Sequence, residues 1–198
     1  MTCIVFDIGN VLVRWDPVEA FLPELGSRDA VLAFLERTDF AARNLRGDKG
    51  ERFADMATEI ADPADAALFA RYPDLYASTI RQPIEGSFAL MERLRAKGHA
   101  IHAITNWSAE TWPLGVATHP RLGTSFGVTV VSGEEGVIKP DPAIFALLCE
   151  RAEVGPGDCF FIDDSLANVA GARACGWRAH PFTTPEALEA ALIEEGLL

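Results

Sequence analysis

The sequence of 198 residues predicts an α/β protein whose core is a parallel sheet with helices on both faces. Three observations predict this class. Short apolar runs alternate with segments of helical periodicity, and such alternation is typical of Rossmann-like parallel sheets. One long helical segment, 14–82, interrupts the alternation directly after the first run. The length fits one core domain that carries a smaller insertion.

Five short runs are the predicted strands. Each is rich in apolar residues, as expected for a strand that is buried on both faces. In a parallel sheet the carboxyl ends of such strands share one edge, where ligands bind. The runs are CIVFD (3–7), HAIHAIT (99–105), FGVTVVS (126–132), CFFIDD (159–164) and WRAHPF (177–182).

Helices are predicted between these strands from their cap residues and the spacing of their apolar residues. Asp141 and Ser165 are residue types that favour the N-cap, and each segment ends at a glycine, which favours a helix stop. In the last segment, Leu166, Val169 and Ala170 are expected to face the core. The predicted helices are 87–98, 141–155 and 165–176.

The segment 14–82 has helical periodicity throughout and contains no convincing strand. Because it follows the first strand, we expect it to form a cap over the carboxyl end of the sheet. The predicted domains are therefore a core of residues 1–13 and 83–198 and a helical cap of residues 14–82.

Charge and composition exclude several classes of partner. A formal net charge of −12 argues against nucleic acid or an anionic membrane, because both require a basic face. A small phosphorylated partner stays open, since one lysine and a cation can hold a phosphate. No apolar run approaches the roughly 20 residues that span a bilayer, and no basic segment begins a signal peptide. The four cysteines lack CxxC spacing, which predicts reduced thiols in a cytoplasmic protein. The oligomeric state is not specified.

Polar residues that a buried strand does not need collect at the ends of the predicted strands and in one loop. Together they supply carboxylates, a lysine, a hydroxyl and an amide at one edge of the sheet. Carboxylates are the ligands that Mg²⁺ prefers, and the lysine and hydroxyl suit the oxygens of a phosphate. Each residue alone is explained as a helix cap or a turn residue, but their common placement favours a site. They are Asp7, Thr105 with Asn106, Lys139, and Asp163 with Asp164.

Four segments resemble the motifs of the haloacid dehalogenase-like hydrolases, in their order and with compatible spacing. The resemblance covers essentially the whole chain and is closest to small bacterial sugar-phosphate phosphatases and to the N-terminal phosphatase domain of epoxide hydrolases. It implies a phosphatase for a small phosphorylated metabolite, with Mg²⁺ as its cofactor. The segments are FDIGNVLVRWD, TNWS, GVIKPDPAIF and FIDDSLANVAGARACG.

The resemblance also implies a role for residues at matching positions. Asp7 is expected to be the nucleophile, which forms an aspartyl-phosphate that water then hydrolyses. Thr105, with Asn106 beside it, is expected to bind the transferring phosphoryl group. Lys139 is expected to neutralise charge on the nucleophile and on the phosphate.

Metal binding is implied for a second set of residues. Asp7 and Asp164 are expected to bind Mg²⁺ through their side chains, and Gly9 through its backbone carbonyl. Asp163 is expected to support these ligands or to share the metal.

Gly9 departs from the family pattern. Most phosphatases of this family have a second aspartate there, which donates a proton to the leaving oxygen, and a glycine has no side chain to do so. The sequence therefore predicts a preference for substrates whose leaving group is acidic, such as sugar 1-phosphates and aryl phosphates, unless water or a cap residue supplies the proton.

Two alternatives to a phosphatase follow from Gly9. A 2-haloacid dehalogenase would use Asp7 as nucleophile without a metal, because halide leaves without a proton. Against this, Asp7, Asp163 and Asp164 would repel one another without a cation. The second alternative is a non-catalytic phosphate-binding module, although the other predicted catalytic residues are all present.

The sequence does not determine which residues form the walls of the site. Arg43, Asn44 and Arg46 lie near a glycine-containing bend of the predicted cap, where they either contact the substrate or form a solvated helix end. Trp15 and Trp107 follow two of the polar segments and either wall the pocket or pack in the core.

Overall fold

The computed structural model describes residues 2–198 and contains, within them, a five-stranded parallel sheet. The order in the sheet is β3-β2-β1-β4-β5, which places the first strand in the centre and confirms the predicted fold class. Met1, the first residue of the predicted core domain, lies outside the described residues. The strands are β1 (Cys3–Phe6), β2 (Ala100–Thr105), β3 (Thr129–Val131), β4 (Cys159–Asp163) and β5 (Arg178–Pro181).

Strand β3 is shorter than the predicted run 126–132. At its start, the Val128 N–H donates to Nδ1 of His102 at 2.9 Å, so a side chain takes the place of a bond between strands. At its end, Ser132 already belongs to a helix. The apolar pattern of the sequence continues past both ends of β3, so it does not reveal where the strand begins and ends.

Residues 14–82, all of which the structure describes, form helices and no strand. They are called the insertion below, and their assignment as a separate domain stays a prediction. The ring of Tyr72 lies at the centre of their core, with its centroid 4.9 Å from that of Phe40 and 5.0 Å from that of Phe53. The helices are α1 (Val18–Leu25), α2 (Arg28–Arg37), α3 (Phe40–Gly47), α4 (Phe53–Ala57), α5 (Pro63–Ala70) and α6 (Tyr72–Leu75), followed by a 3₁₀ helix (Tyr76–Ile80).

The remaining helices lie between and after the other strands. Asp141 and Ser165 are N-caps as predicted, accepting from the N–H groups of Ala143 and Asn168. None of the helices within residues 2–198 is both long and apolar enough to span a membrane. The helices are α7 (Glu85–Ala96), α8 (Trp112–Thr118), α9 (Ser132–Glu135), α10 (Pro142–Ala152), α11 (Leu166–Ala174) and α12 (Pro185–Glu194), with 3₁₀ helices at Pro120–Gly123 and Pro156–Asp158.

Apolar side chains cover both faces of the sheet. Successive strand residues point to opposite faces, so Ile4 and Phe6 join one core, which includes α7, α12 and the aromatic rings of the insertion. Cys3 and Val5 join the other core, which α10 and α11 cover. The central strand is thus buried on both sides and ends where the sheet opens towards the insertion.

Two predictions about the core helices are wrong. Helix α10 ends at Ala152 instead of Gly155, because Glu153 takes the left-handed conformation (φ 55°) and caps the helix three residues earlier. In α11, Val169 is buried as predicted, but Leu166 is 74% exposed and Ala170 is also exposed. Leu166 opens the first turn of α11, just after the end of β4, at the edge of the sheet.

One loop of the insertion is fixed to the core. The buried hydroxyl of Ser132 accepts from the Trp107 N–H at 2.9 Å and donates to the backbone carbonyl of Asp48 at 2.5 Å. Gly50 has a positive φ of 102°, and a Cβ there would lie 2.9 Å from the carbonyl oxygen of Gly133. A glycine is therefore required where this loop meets the core.

Candidate active site

The predicted site residues lie together because neighbouring strands end at the same level. Phe6 is in register with Ala103 of β2 and with Ile162 of β4. Asp7, the next residue, therefore lies beside the ends of both strands, and its N–H still donates to the Ile162 carbonyl at 2.8 Å. The acid at the end of the buried strand continues the sheet into the site.

Lys139 lies at the centre of this edge and is buried. Its Nζ is 2.8 Å from Oδ1 of Asp7 and 2.7 Å from Oδ2 of Asp163, and it donates to the Ile104 carbonyl at 3.0 Å. Burial alone lowers the pKa of this ammonium group, but the carboxylates of Asp7 and Asp163 outweigh burial and raise it above its ordinary value. The lysine therefore remains a cation in a buried place.

Asp7 is buried and directed at Lys139. Its Oδ1 accepts from the Ile8 N–H at 2.7 Å and also receives the lysine ammonium. Burial raises the pKa of Asp7 to about 8; the Lys139 ammonium opposes this shift, and the charge of Asp163 adds to it. The carboxylate is thus poorly solvated, which favours it as a nucleophile once a cation compensates its charge.

Asp163 and Asp164 are adjacent but differ in their surroundings. Asp163 is fully buried, and its two oxygens accept from Lys139, from the Ser165 N–H at 2.8 Å and from the Asn168 amide at 3.0 and 3.1 Å. Asp164 is exposed at the rim of the site. Partial desolvation, and then the charge of Asp163, raises the pKa of Asp164.

The donor set fits a divalent cation. Oxygens of Asp7, Asp163 and Asp164 all lie within 4.8 Å of one another. Their three charges meet one ammonium group, so two negative charges remain for a cation to balance. The metal-binding roles of Asp7, Gly9 and Asp164 stay predictions, but protein donors already engage both oxygens of Asp163, which agrees with a supporting role for that residue.

Thr105 and Asn106 follow one another at the end of β2 and differ in their contacts. Oγ1 of Thr105 is buried and has no hydrogen-bond partner among residues 2–198. A buried hydroxyl without a partner is costly unless a ligand supplies one. Asn106 instead bonds the backbone of Lys139 with both its amide oxygen and its amide nitrogen. The substrate-binding role predicted for these residues and for Lys139 stays a prediction.

A cavity of about 150 Å³ opens above the carboxylates, between the sheet edge and the insertion. Trp15 and Trp107 both line it and also pack in the apolar core, so both predicted alternatives hold. Asn44 lines the cavity as well. Arg43 and Arg46 instead pair with Glu59. The cavity is lined by Asp7, Gly9, Asn10, Asn106, Asp164, Trp15, Trp107, Thr111, Asn44, Asp48 and Tyr76.

Asp48 is the acid in this cavity that the sequence did not predict. It follows α3 in a charged segment of the insertion, where an acid is expected to face solvent, and only the tertiary fold brings it over the sheet. Asp48 is half-buried, and desolvation raises its pKa to about 7, although the Lys139 ammonium and a hydrogen bond from the Ser108 backbone oppose the shift. No signal in the sequence marks this position except the glycine-containing bend.

Comparison with known proteins gives a consistent family. The model of the haloacid dehalogenase-like hydrolases matches residues 1–176. A phosphoglycolate phosphatase of Nitrosospira multiformis is 33% identical over 194 residues, which cover 92% of this chain and 82% of that protein. Acyl-CoA dehydrogenase family member 10 of Mus musculus is 28% identical over 200 residues, which cover 92% of this chain but 18% of the mouse protein. This chain therefore corresponds to a small part of that relative.

A solved structure shares the fold. A HAD family enzyme from Bacteroides thetaiotaomicron, in complex with magnesium and inorganic phosphate, superposes with a TM-score of 0.72 and 21% identity, covering 93% of this chain and 95% of that one. At this identity the likeness concerns the fold alone. The predicted fold, family and enzyme class are confirmed, and the comparisons group this chain with hydrolases of phosphoric esters.

Proposed function

This chain belongs to the haloacid dehalogenase-like hydrolase family, and from that premise we propose that it is a Mg²⁺-dependent phosphatase. Its substrate is a small phosphorylated metabolite, with a sugar phosphate as one candidate, and the reaction proceeds through an aspartyl-phosphate on Asp7. The phosphatases among its relatives support the reaction class. The size of the cavity supports a small substrate.

The observation that carries the proposal is the position of Lys139 between two buried carboxylates. Its Nζ contacts Asp7 at 2.8 Å and Asp163 at 2.7 Å, and the unpartnered hydroxyl of Thr105 belongs to the same strand ends. An anionic nucleophile can approach an anionic phosphate only where nearby cations and donors offset their repulsion. This arrangement supplies both.

In the first step, Oδ2 of Asp7 attacks phosphorus, and the bond between phosphorus and the ester oxygen breaks. We assign the attack to Oδ2 because the Ile8 N–H and Lys139 both hold Oδ1. Thr105 donates its hydroxyl to the transferring group. In the second step, water attacks the phosphorus of the aspartyl-phosphate, which releases inorganic phosphate and regenerates Asp7.

Magnesium is the cofactor that the donor set supports best. Asp7 and Asp164, with the carbonyl of Gly9, would hold it, while Asp163 keeps Lys139 and the start of α11 in place. When bound, Mg²⁺ supplies positive charge that offsets the carboxylates and the phosphate. We also propose a cytoplasmic location, which is supported by four cysteines that are all free thiols within the described chain.

The dehalogenase alternative is weaker because of charge. A 2-haloacid carries a carboxylate, and without a metal it would face three carboxylates that a single ammonium group offsets. The non-catalytic alternative leaves the buried pairing of Asp7 with Lys139 without a purpose.

The test compares the wild type, Asp7→Asn and Asp55→Asn, an exposed acid of α4 that serves as the matched control. Each is given a panel of phosphate monoesters with Mg²⁺ or with a chelator, and 2-haloacids under the same conditions. We expect the wild type and the control to release phosphate only with Mg²⁺, and Asp7→Asn to release none while keeping its circular dichroism spectrum. Halide release in chelator without phosphate release would establish the dehalogenase instead. Phosphate binding without turnover of any compound would favour the binding module.

A further inference from the structure

The missing side chain at Gly9 leaves the proposed reaction without a proton for its leaving oxygen. A phosphate ester of an alcohol releases an alkoxide, which is a strong base and departs readily only when it is protonated. The titratable groups that line the cavity are Asp7, Asp48, Tyr76 and Asp164. Asp7 is assigned to attack and Asp164 to the cation. Asp48 and Tyr76 are the two that the mechanism has not used.

Tyr76 is unsuited to exchange a proton at neutral pH. Burial raises the pKa of its hydroxyl far above the ordinary value, and the nearby charges of Tyr72 and Asp48 raise it further. The Tyr76 hydroxyl would therefore keep its proton throughout the reaction. Asp48 is therefore the group whose proton can be given and recovered.

Asp48 is held in a defined place over the site. Its carbonyl accepts from the hydroxyl of Ser132, which also binds the Trp107 N–H, so the backbone is tied to the core. Its carboxylate Oδ2 accepts from the amide of Asn44 at 3.1 Å, and Asn44 lines the cavity too. Asp7 lies at the sheet edge and Asp48 on the insertion, so a substrate between them meets the nucleophile from one side and Asp48 from another.

The surroundings of Asp48 keep its proton available near neutral pH. Burial raises its pKa to about 7. Lys139 is the cation that opposes this shift. The charge of Asp48 in turn raises the pKa values of the Tyr72 and Tyr76 hydroxyls, and the carboxyl groups of Asp7 and Asp164 line the same cavity. A group whose pKa lies near neutrality can both give and take a proton there, which suits a general acid and base.

We infer that Asp48 is the general acid and base of this enzyme, in the place of the side chain that position 9 lacks. The inference rests on the proposed phosphatase function. When Asp7 attacks phosphorus and the ester bond breaks, the Asp48 proton passes to the leaving oxygen, which departs as an alcohol. The Asp48 carboxylate then takes a proton from the water that attacks the aspartyl-phosphate, and the carboxyl is restored as phosphate leaves.

The test uses three probes of similar shape whose leaving oxygens are increasingly basic: p-nitrophenyl, phenyl and benzyl phosphate. The wild type, Asp48→Asn and the control Asp55→Asn are compared by kcat/KM, which reports the first chemical step. We expect Asp48→Asn to lose about 100-fold or more on benzyl phosphate and less than about 10-fold on p-nitrophenyl phosphate, because general acid catalysis is worth roughly 10²–10⁴-fold where a proton is needed. The control should match the wild type.

A second measurement needs no variant. For the wild type, kcat/KM on benzyl phosphate should fall as the pH rises above about 7, whereas on p-nitrophenyl phosphate it should not. Equal losses on all three probes, no loss on any, or identical pH profiles would overturn Asp48 as the proton donor and leave the phosphatase standing. Failure of the wild type to hydrolyse any phosphate ester would instead overturn the proposed function.

Discussion

The side-chain amide of Asn106 hydrogen-bonds both polar groups of the Lys139 backbone. Its Oδ1 accepts from the Lys139 N–H at 2.8 Å, and its Nδ2 donates to the Lys139 carbonyl at 3.1 Å. The side chain of the same lysine reaches Asp7 and Asp163. The residue after the end of β2 therefore fixes the loop that delivers the cation to the two neighbouring strand ends.

We expect Asn106→Ala to lower both stability and turnover. Two hydrogen bonds worth ~0.5–1.5 kcal/mol each are lost, so the free energy of unfolding in urea should fall by about 1–3 kcal/mol. The lysine then loses its fixed backbone, and kcat for phosphate esters should fall with it. An unchanged kcat in a variant of lowered stability would show that Asn106 holds the fold without positioning Lys139.

Asp164→Asn is expected to raise the Mg²⁺ requirement. Asp164 is the exposed member of the three carboxylates, whereas Asp163 is fully buried and bonded to Lys139, Ser165 and Asn168. Even groups that only support metal ligands change metal affinity 10–100-fold, so the Mg²⁺ concentration for half-maximal activity should rise at least about tenfold. Titration of activity with Mg²⁺ in the variant and in Asp55→Asn measures this. Identical titrations would remove Asp164 from the ligand set.

Asp48 should make stability depend on pH. Its folded-state pKa of about 7 lies above the ordinary value, so the folded protein binds this proton more tightly than the unfolded chain. The stability that results is fully present below pH ~4 and is lost as the pH rises from ~4 through ~7. Between pH 5 and pH 7 the free energy of unfolding of the metal-free wild type should fall by about 2 kcal/mol relative to Asp48→Asn, since one pKa unit is worth ~1.4 kcal/mol. Parallel curves would contradict a raised pKa.

The sequence predicted the half of the site that belongs to the sheet. Asp7, Thr105 and Asp163 could be identified because each is a polar residue at the end of a buried apolar strand, and parallel strands bring their carboxyl ends together. That argument depends only on recognising the strands and their ends, and it needs no knowledge of side-chain contacts. It also predicted Lys139 correctly as a neighbour of these ends.

The half of the site that belongs to the insertion could not be predicted in this way. Asp48 is held at the cavity by Ser132, whose hydroxyl bonds the Asp48 carbonyl and also the Trp107 N–H, and both residues lie far from Asp48 in the sequence. Its own neighbours are charged and resemble a solvated bend. Leu166 shows the converse error: its apolar character predicts burial, but it opens α11 just after the end of β4 and its side chain is exposed.

An aspartate at position 9 is expected to take over the role of Asp48. Gly9 lines the same cavity, and a Cβ added there would have no heavy atom within 4 Å, so the side chain has room. In the Asp48→Asn background, Gly9→Asp should restore kcat/KM on benzyl phosphate by about tenfold or more, a part of the 10²–10⁴-fold that a general acid supplies. Gly9→Asn has the same shape without the proton and should restore nothing. If both variants restore activity equally, or neither does, the defect of Asp48→Asn is not a missing proton.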